Sequence, residues 1–244
     1  MIEIKNVTKK YSGKTALDDI SISFPRGEIV GLFGENGAGK TTLMKSILGF
    51  IKYSGEITLD GEKITNKNIA KISFATSEHS FFFELNAKGH KEFYKSHFNT
   101  FNEKRFDALM DFFELDKNKK TKNFSTGQKN QFEVILALSQ GADYILMDEP
   151  FAGNDIFNRE DFYKVLSGIL EPNETVILST HLIEEVSEFI GRAVLIHGGH
   201  IVGDKNILEL QDEGSNLVEY IKSTYNYHSD RVSKAIELLS GEEE

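Results

Sequence analysis

The chain has 244 residues, a formal net charge of −10 at pH 7 and 39% apolar residues, so it is long and apolar enough for one large domain, with or without an inserted subdomain. The acidic balance argues against sequence-independent binding of nucleic acid, and the absence of cysteine excludes disulfides and thiolate metal sites. The sequence has no apolar run long enough to span a membrane and no signal-peptide pattern at its start, so neither kind of segment is expected.

Alternating apolar and polar residues predict two half-buried strands near the amino terminus, at Ile2–Ile4 and Ala16–Phe24. A turn at Ser12–Lys14 lies between them and favours antiparallel pairing. Three further short runs in this part of the chain also have the character of strands. They are expected at Ile29–Phe33, Glu56–Leu59 and Lys71–Ala75.

From about residue 85 to 140 the strand signal disappears, and apolar residues recur at three- and four-residue spacing, which predicts an inserted helical subdomain. Its helices are expected at Lys91–Phe98, Glu103–Leu115 and Gln128–Leu138. The sheet then resumes, because strand-like apolar runs alternate with helical segments, and strand–helix–strand units of this kind form parallel sheets. The strands are expected at Tyr144–Met147, Thr175–Ser179 and Ala193–Ile196, and the helices at Asn158–Leu170 and Leu182–Ile190.

A small hairpin through Gly198–Gly199 ends this part of the chain, and a polar, helix-prone tail follows it. Together these elements predict an α/β fold with a mixed, mainly parallel sheet, an amino-terminal antiparallel β subdomain and the inserted helical subdomain. The predicted domain boundaries are 1–205 for the main domain and 206–244 for a short helical tail.

Residues 34–42 fit the phosphate-binding pattern G-x-x-x-x-G-K-[ST], between the strand at 29–33 and a helix-like segment. Glycines let successive backbone N–H groups turn toward phosphate oxygens, and the helix N-terminus adds partial positive charge. Lys40 is expected to reach the β- and γ-phosphates, and the Thr41 hydroxyl to join the shell of a Mg²⁺ ion. A glycine-rich turn with an accidental lysine is the alternative. The pattern therefore predicts a P-loop NTPase, whose nucleotide-binding residues here are Gly34, Glu35, Asn36, Gly37, Ala38, Gly39, Lys40, Thr41 and Thr42.

Two carboxylates, Asp148 and Glu149, directly follow the apolar strand at 144–147. Asp148 can continue the Mg²⁺ shell that Thr41 begins, and Glu149 can orient and deprotonate an attacking water. Two acids that open an exposed turn are the alternative interpretation. Combined with the phosphate loop, the pair predicts hydrolysis of a nucleoside triphosphate.

A third segment, Phe124–Gln128, opens a helix, and Ser125 considered alone looks like a helix cap. With this segment the chain resembles the ATP-binding subunits of ABC transporters, whose signature Leu-Ser-Gly-Gly-Gln occupies the same place. The resemblance covers about residues 1–205 and depends on the order of the motifs. These are an aromatic at Tyr11, the phosphate loop at 34–41, the signature segment at 124–128, the acids at 148–149, the loop at 152–155 and His181.

The resemblance implies a head-to-tail dimer, in which two ATP molecules lie between the phosphate loop of one copy and the signature segment of the other. Ser125, Gly127 and Gln128 would then face the γ-phosphate held by the second subunit.

The resemblance also implies roles for single residues. Glu149 would be the general base, His181 would contact the γ-phosphate, and Lys40 would assist both binding and catalysis. Tyr11 would stack on adenine. From the residues alone, Tyr11 can equally be a packing aromatic and His181 a plain loop histidine.

The chain departs from the family where related subunits carry a glutamine in a loop that touches both Mg²⁺ and the transmembrane partner. The segment Phe74–His79 contains no glutamine, and Ser77 or Glu78 is the candidate replacement. A hydroxyl could still meet the metal through water, whereas an extra carboxylate would repel the γ-phosphate unless it bound metal. Slower or differently coupled catalysis is expected. In the loop after the acids, Asn154 replaces a common leucine, while Asp155 matches.

Two other features bear on the partner. Phe124 and Thr126 stand where Leu and Gly are usual, a pattern similar to bacterial export systems for antibiotic peptides or lantibiotic immunity. Three adjacent aromatics, Phe81–Phe83, cannot all point one way. They are expected either to line a groove for a coupling helix of a membrane subunit or to pack in the core.

The predicted function is an ATP-binding and ATP-hydrolysing subunit that energises a separate integral membrane permease, for export of a peptide, drug or other small molecule. The chain is expected to be cytoplasmic, peripheral on the inner face of the membrane, and a homodimer or a heterodimer with a sister subunit, with ATP and Mg²⁺ bound and no nucleic-acid partner. A soluble mechanical ATPase and a regulatory nucleotide-binding module that does not turn over remain as alternatives.

Overall fold

The computed structural model describes residues 1–150 and 156–225. The strands in these ranges are β1 (Ile2–Tyr11), β2 (Lys14–Phe24), β3 (Ile29–Phe33), β4 (Ser54–Leu59), β5 (Glu62–Lys63), β6 (Ile72–Thr76), β7 (Tyr144–Asp148), β8 (Thr175–Ser179), β9 (Arg192–His197) and β10 (His200–Asn206). The helices are α1 (Lys40–Ile47), α2 (Ala87–His97), α3 (Glu103–Phe112), α4 (Thr126–Ser139), α5 (Ile156–Ile169), α6 (Ile183–Val186), α7 (Ile207–Asp212) and α8 (Leu217–Thr224).

The amino-terminal sheet is antiparallel and has the strand order β2-β1-β4-β5. Its alternating strands place one set of side chains inward, so that Ile4 pairs with Ile22 on one side and with Ile57 on the other. These residues join the apolar cluster that also holds Leu43 and Met44 of α1. The helix after the phosphate loop is therefore packed against both sheets.

The larger sheet has the order β10-β9-β3-β8-β7-β6, parallel except at its β10 edge. Strand β3 lies in its interior between β8 and β9, and the burial of these strands on both faces explains their continuous apolar sequences. The register places Asp148 at the end of β7 directly beside Ser179 at the end of β8. The carboxyl ends of the parallel strands thus bring the phosphate loop and the strand acids to one edge, where ligands bind in open α/β sheets.

The inserted helices α2, α3 and α4 lie between β6 and β7 in the chain, and α4 packs on α3 and β6. A buried ion pair fixes this insertion to the sheet. The Arg105 guanidinium donates to the Glu174 carboxylate at 2.7 Å and to the carbonyl oxygens of Leu138 and Ile169 at 3.0 and 2.6 Å. Because both charged groups are satisfied by hydrogen bonds, the pair anchors α3 at a defined place.

The carboxyl-terminal helices pack onto the main domain. Ile207, Leu210, Leu217 and Ile221 are buried in the same apolar cluster as β7 and α4. Beyond α8, the hydroxyl of Tyr225 donates to the carbonyl oxygens of Phe33 and Ile196, at 3.3 and 3.2 Å. The described part of the tail therefore lies against the end of β3, where the phosphate loop begins.

The predicted α/β class, the antiparallel amino-terminal sheet and the mainly parallel core are confirmed. The helix expected at 182–190 was predicted too long, because it ends at Val186 and the chain continues in turns that return the amides of Phe189 and Ile190 to the Val186 carbonyl. Helix α3 also ends early, where Glu114 takes a left-handed conformation with φ of 52°. The domain boundary at 205 stays a prediction.

The loop at 152–155 and residues 226–244 lie outside the described residues. In the part of the chain that the structure covers, none of the helices has the length and apolar character needed to cross a membrane.

Candidate functional site

The phosphate loop needs glycine at three positions, either for its backbone conformation or because a Cβ has no space. Gly37 and Gly39 have positive φ of 83° and 120°, conformations that residues with a Cβ rarely adopt. A Cβ on Gly34 would meet the carbonyl oxygen of Ile196 at 2.4 Å, and one on Gly39 would meet that of Ala16 at 2.6 Å. The loop is therefore held between β2 and β9, with its backbone free to face a ligand.

Lys40 begins α1 and is buried, with its ammonium folded back on the loop. It donates to the carbonyl oxygens of Gly34 and Glu35 at 2.7 and 3.3 Å. The loop surrounds a cavity of about 150 Å³, which is lined by Asn36, Gly37, Gly39, Lys40, Thr41, Thr42, Asp148 and Glu149. Six of the nine predicted loop residues and both predicted acids thus share one concave site, where a phosphate could replace the carbonyls as the partner of Lys40.

Two oxygen-bearing side chains that can bind a metal ion, those of Thr41 and Asp148, lie together in the lining of this cavity. The Thr41 hydroxyl donates to Asp148 Oδ2 at 2.6 Å, and the Ser179 hydroxyl donates to Asp148 Oδ1 at the same distance. Hydroxyl and carboxylate oxygens are the ligands that Mg²⁺ prefers beside nucleotide phosphates, with waters completing the shell. The donor set therefore fits a Mg²⁺ ion held by Thr41 and Asp148.

Glu149 and His181 also lie together. His181 Nδ1 is 3.0 Å from Glu149 Oε2. The Glu149 amide donates to Ser179 at 3.1 Å (carbonyl) and 3.2 Å (hydroxyl), while its φ of 48° turns the backbone out of the strand. A left-handed conformation at a glutamate is uncommon and directs its carboxylate toward the cavity that it lines. The pair has the form of a base oriented by a neighbour.

The signature segment lies on α4 and does not line the cavity. The Ser125 hydroxyl accepts the Gln128 amide at 3.2 Å, and the Gln128 side chain accepts the Ser125 amide at 3.1 Å, which makes a capping box. The cap uses the hydroxyl as an acceptor, so its hydrogen remains available to a ligand, as do the amides of Thr126 and Gly127 in the first turn. The helix-cap interpretation is confirmed, and a γ-phosphate contact stays a prediction.

Three other predicted residues also lie outside the cavity lining: Tyr11, Ser77 and His181, the last of which reaches the cavity only through Glu149. Tyr11 ends β1 and is exposed, with the Lys9 ammonium 4.6 Å from the centre of its ring. Ser77 is exposed in the loop after β6. Its neighbour Glu78 is turned to α1, where its carboxylate accepts the Lys45 ammonium at 2.8 and 2.9 Å. Roles for Tyr11 in adenine stacking and Ser77 in metal binding stay predictions.

The structure adds two residues that the sequence interpretation did not select. Ser179 holds the Asp148 side chain and the Glu149 amide at once, and aligning the ends of the two parallel strands would have placed it there. Lys14 begins β2 opposite Tyr11, and its ammonium lies 3.6 Å from the place a Cβ on Gly37 would take. Among the described residues no carboxylate pairs with Lys14, so its charge is available to an anion in the loop.

Comparison with known proteins identifies the family. The family described as ABC transporter matches residues 17–152. An uncharacterised ABC transporter ATP-binding protein of Methanocaldococcus jannaschii, MJ1023, is 30% identical, with 82% of this chain and 76% of that protein covered. The lantibiotic transport ATP-binding protein SrtF of Streptococcus pyogenes is 27% identical over 90% of this chain and 94% of its own length. The ribose import ATP-binding protein RbsA of Clostridium perfringens is 28% identical over 87% of this chain and 46% of its own.

Solved structures share the fold. An ATP-binding subunit of an ABC transporter superposes with a TM-score of 0.80 at 21% identity, covering 92% of this chain and 99% of that one. A dimeric ATP-binding cassette, described as a post-hydrolysis state with ADP and Pi bound, gives a TM-score of 0.74 at 24% identity and covers 84% and 98%. The arrangement of two sheets and inserted helices is thus that of these cassettes.

Proposed function

This chain belongs to the ABC transporter family as an ATP-binding ATPase, and we propose that it couples ATP hydrolysis to transport through a separate integral membrane subunit. The observation that carries the proposal is the grouping of Thr41, Asp148 and Glu149 around the phosphate-loop cavity, with His181 on the Glu149 carboxylate. Binding, metal and base positions are then all present in one chain. A module that only binds nucleotide would not need the base and its orienting partner.

In the proposed site, Lys40 exchanges its loop carbonyls for the β- and γ-phosphates, and the backbone amides of residues 34–42 cradle the same oxygens. A Mg²⁺ ion held by Thr41 and Asp148 would neutralise charge on those phosphates. The Ser179 hydroxyl fixes the Asp148 carboxylate on the side away from Thr41. The side chains that would position the triphosphate are thus already held in place by hydrogen bonds.

Glu149 is the proposed base. Its carboxylate lines the cavity, and its amide is held by Ser179, so it can accept a proton from a water aligned with the γ-phosphate. His181 holds Glu149 Oε2 through Nδ1, which leaves Nε2 for the phosphate side of the site. The pair therefore orients the water and the transferred group together.

A dimer supplies the remaining half of each site. The hydrogen of the Ser125 hydroxyl and the amides of Thr126 and Gly127 are not consumed by the cap, which suits them to a γ-phosphate bound on a second copy. Gly127 and Gln128 lie in the same turn. The dimeric cassettes among the structural neighbours have the same fold, and the proposal here is a head-to-tail homodimer or a heterodimer with a sister subunit.

The proposed docking site for the membrane subunit is a cleft of about 310 Å³ between α1, β6 and α2, lined by residues including Leu48, Phe50, Phe74 and Tyr94. Phe50 is 65% exposed and contacts the edge of Phe74. An exposed aromatic of this size beside an apolar cleft is the kind of surface that receives an amphipathic helix.

The three adjacent phenylalanines divide between core and surface. Phe81 is buried against Phe132, whereas Phe82 and Phe83 are 49% and 44% exposed. Core packing is therefore confirmed for Phe81, and contact of Phe82 with a coupling helix stays a prediction.

Export is the proposed direction, of a peptide, drug or other small molecule, since the match to the lantibiotic transport protein covers nearly the whole of both chains whereas the match to the ribose importer covers under half of that protein. The proposed location is the cytoplasmic face of the membrane, with no nucleic-acid partner. The names of the relatives do not favour the soluble mechanical or regulatory alternatives.

Sedimentation of the full chain with the substitution Glu149→Gln, with and without Mg-ATP, tests the proposal. We expect ATP to convert the variant from monomer to dimer, because binding is kept while hydrolysis is stalled, and we expect the unmodified chain to turn over ATP. Lys40→Ala is the control that should neither bind nor dimerise. A Glu149→Gln protein that hydrolyses ATP at the normal rate would remove Glu149 from the mechanism, and co-purification with no membrane protein would count against the permease.

A further inference from the structure

The loop at 77–80 connects the two helices that begin at the two halves of the nucleotide site. Toward α1, the Glu78 carboxylate accepts the Lys45 ammonium at 2.8 and 2.9 Å. Toward α4, Ser80 is hydrogen-bonded to the carboxylate of Glu133. Between them His79 has a φ of 56° and stacks on Phe81, so the loop has a defined and partly strained shape.

The Glu133 end of this bridge is buried. Glu133 is 2% exposed, and the Ser80 amide donates to both its oxygens at 3.1 Å while the Ser80 hydroxyl donates to Oε1. The Glu78 carboxylate of the Lys45–Glu78 pair is exposed, so this ion pair is expected to contribute little to holding the loop in place. The Ser80–Glu133 contact is therefore the stronger of the two connections.

We propose that Glu133 is a positioning residue for ATP hydrolysis, whose carboxylate fixes the loop at 77–80 on α4 and so sets the signature segment relative to the phosphate loop. A carboxylate at this depth costs free energy to desolvate, and an apolar residue of similar size would serve packing as well. Its hydrogen bonds give a defined position rather than net stability. The inference depends on the ATPase activity of the family and is independent of the membrane subunit.

The surroundings of Glu133 make its charge sensitive to pH. Burial raises the pKa of Glu133 to about 7, although Ser80 donates to it. Titratable groups on the elements around it include Tyr94 and His90 on α2, Lys129 on α4 and Lys45 on α1, together with Glu78 and His79 in the loop. Burial raises the pKa of Tyr94 and lowers those of His90 and His79. The ionised carboxylate accepts both donors of Ser80, whereas the protonated one loses acceptor capacity, so the connection weakens as the pH falls below 7.

Removing one hydroxyl tests the connection with little disturbance. In Ser80→Ala the hydroxyl donor to Glu133 Oε1 is lost while the Ser80 amide still donates, and we expect kcat to fall about fivefold to tenfold, the factor for one hydrogen bond of ordinary net strength, with the KM for ATP unchanged. Ser73→Ala is the matched control, because its hydroxyl is buried on the neighbouring strand β6 without a partner among the described residues. It should keep the normal kcat.

The pH profile separates positioning from packing. Glu133→Gln keeps the shape of the side chain and one acceptor but cannot ionise. We expect the ratio of the unmodified kcat to the Glu133→Gln kcat to approach one below pH 6 and to rise about fivefold above pH 8, because titration of the histidines is common to both proteins. A merely structural role would lower both profiles without changing their ratio.

Hydrogen exchange of the full chain gives a second test that needs no turnover. At pH 8 the Ser80 amide should exchange at least about tenfold faster in Glu133→Gln than in the unmodified chain, since one of its acceptors becomes a weaker or absent partner. Ser73→Ala should leave this amide protected. The proposal is overturned if Ser80→Ala keeps the normal kcat, if the ratio of the two pH profiles is flat, or if Ser80 exchange is unchanged.

Discussion

Replacing Ser179 by alanine should weaken both folding and catalysis, because this residue supports the two strand acids. Its hydroxyl donates to Asp148 Oδ1 at 2.6 Å and accepts the Glu149 amide at 3.2 Å, and its side chain is fully buried. The Glu149 amide keeps the Ser179 backbone carbonyl at 3.1 Å in the variant. The loss therefore falls mainly on Asp148, whose carboxylate keeps the Thr41 hydroxyl as its one hydrogen-bond donor among the described side chains.

The size of the effect follows from the charge of the acceptor. A hydrogen bond to an ionised, largely buried carboxylate contributes about 2 kcal/mol net, which corresponds to about a thirtyfold change in the unfolding equilibrium. For a chain of this length the melting temperature should fall by about 4–8 °C. Because Asp148 is then free to move away from the position proposed for Mg²⁺, kcat/KM for Mg-ATP should fall about tenfold.

Urea unfolding and steady-state ATPase assays of Ser179→Ala measure the two effects separately. Ser139→Ala is the matched control, since its hydroxyl is also fully buried but has no hydrogen-bond partner among the described residues. Ser139→Ala should lower the free energy of unfolding by less than about 0.5 kcal/mol, because it removes no hydrogen bond. Equal effects of the two substitutions, in either assay, would show that the Asp148 contact contributes nothing and would refute the reasoning.

Three further predictions follow from other contacts. Lys14→Gln should raise the Kd for ATP about threefold to tenfold in 50 mM salt and less in high salt, as for a lost phosphate contact. Lys10→Gln on the same hairpin is the control and should leave the Kd unchanged. Equal Kd values for the two variants in a nucleotide-binding titration would exclude a contact between Lys14 and the nucleotide. Thr41→Val should reduce the affinity for Mg-ATP far more than for metal-free ATP, and a parallel loss of both would point to misfolding. Burial lowers the pKa of His90, whose Nε2 accepts the Phe82 amide at 3.0 Å, so the contribution of His90 to the free energy of unfolding should be fully present above pH 6.5 and decline below it, by up to about 1.4 kcal/mol per pH unit relative to a variant without the histidine. A His90→Gln variant with the same slope in urea titrations between pH 6.5 and 5 would contradict this assignment.

The parts of the site that were predictable from the sequence depend on local chemistry. The phosphate loop is recognised because glycine, lysine and threonine must occur at fixed spacing between a strand and a helix, and the structure places Gly37, Gly39 and Lys40 around one cavity. Asp148 and Glu149 are recognised because two acids at the end of a buried strand must reach the same sheet edge as the loop. Both inferences use only residues that are close to one another in the sequence.

The remaining contacts join residues that are far apart in sequence and have no pattern of their own. Ser80 and Glu133 are 53 positions apart, and neither type of residue is unusual in a loop or in an amphipathic helix. The sequence of α4 predicts the helix but does not show that its one glutamate, Glu133, faces inward. Ser179 was placed in the right strand, yet its role depends on the register between β7 and β8, which periodicity does not determine.

The central position of β3 affects the order in which the protein can fold during synthesis. The phosphate loop directly follows β3, but the neighbours of this strand in the sheet are β8 and β9, and the Tyr225 hydroxyl rests on carbonyls at the ends of β3 and β9. Strands β8 and β9 therefore leave the ribosome long after β3, and pairing over such sequence separations is slow. A nascent chain that already displays the whole phosphate-binding pattern still lacks the strands that give the pattern its shape.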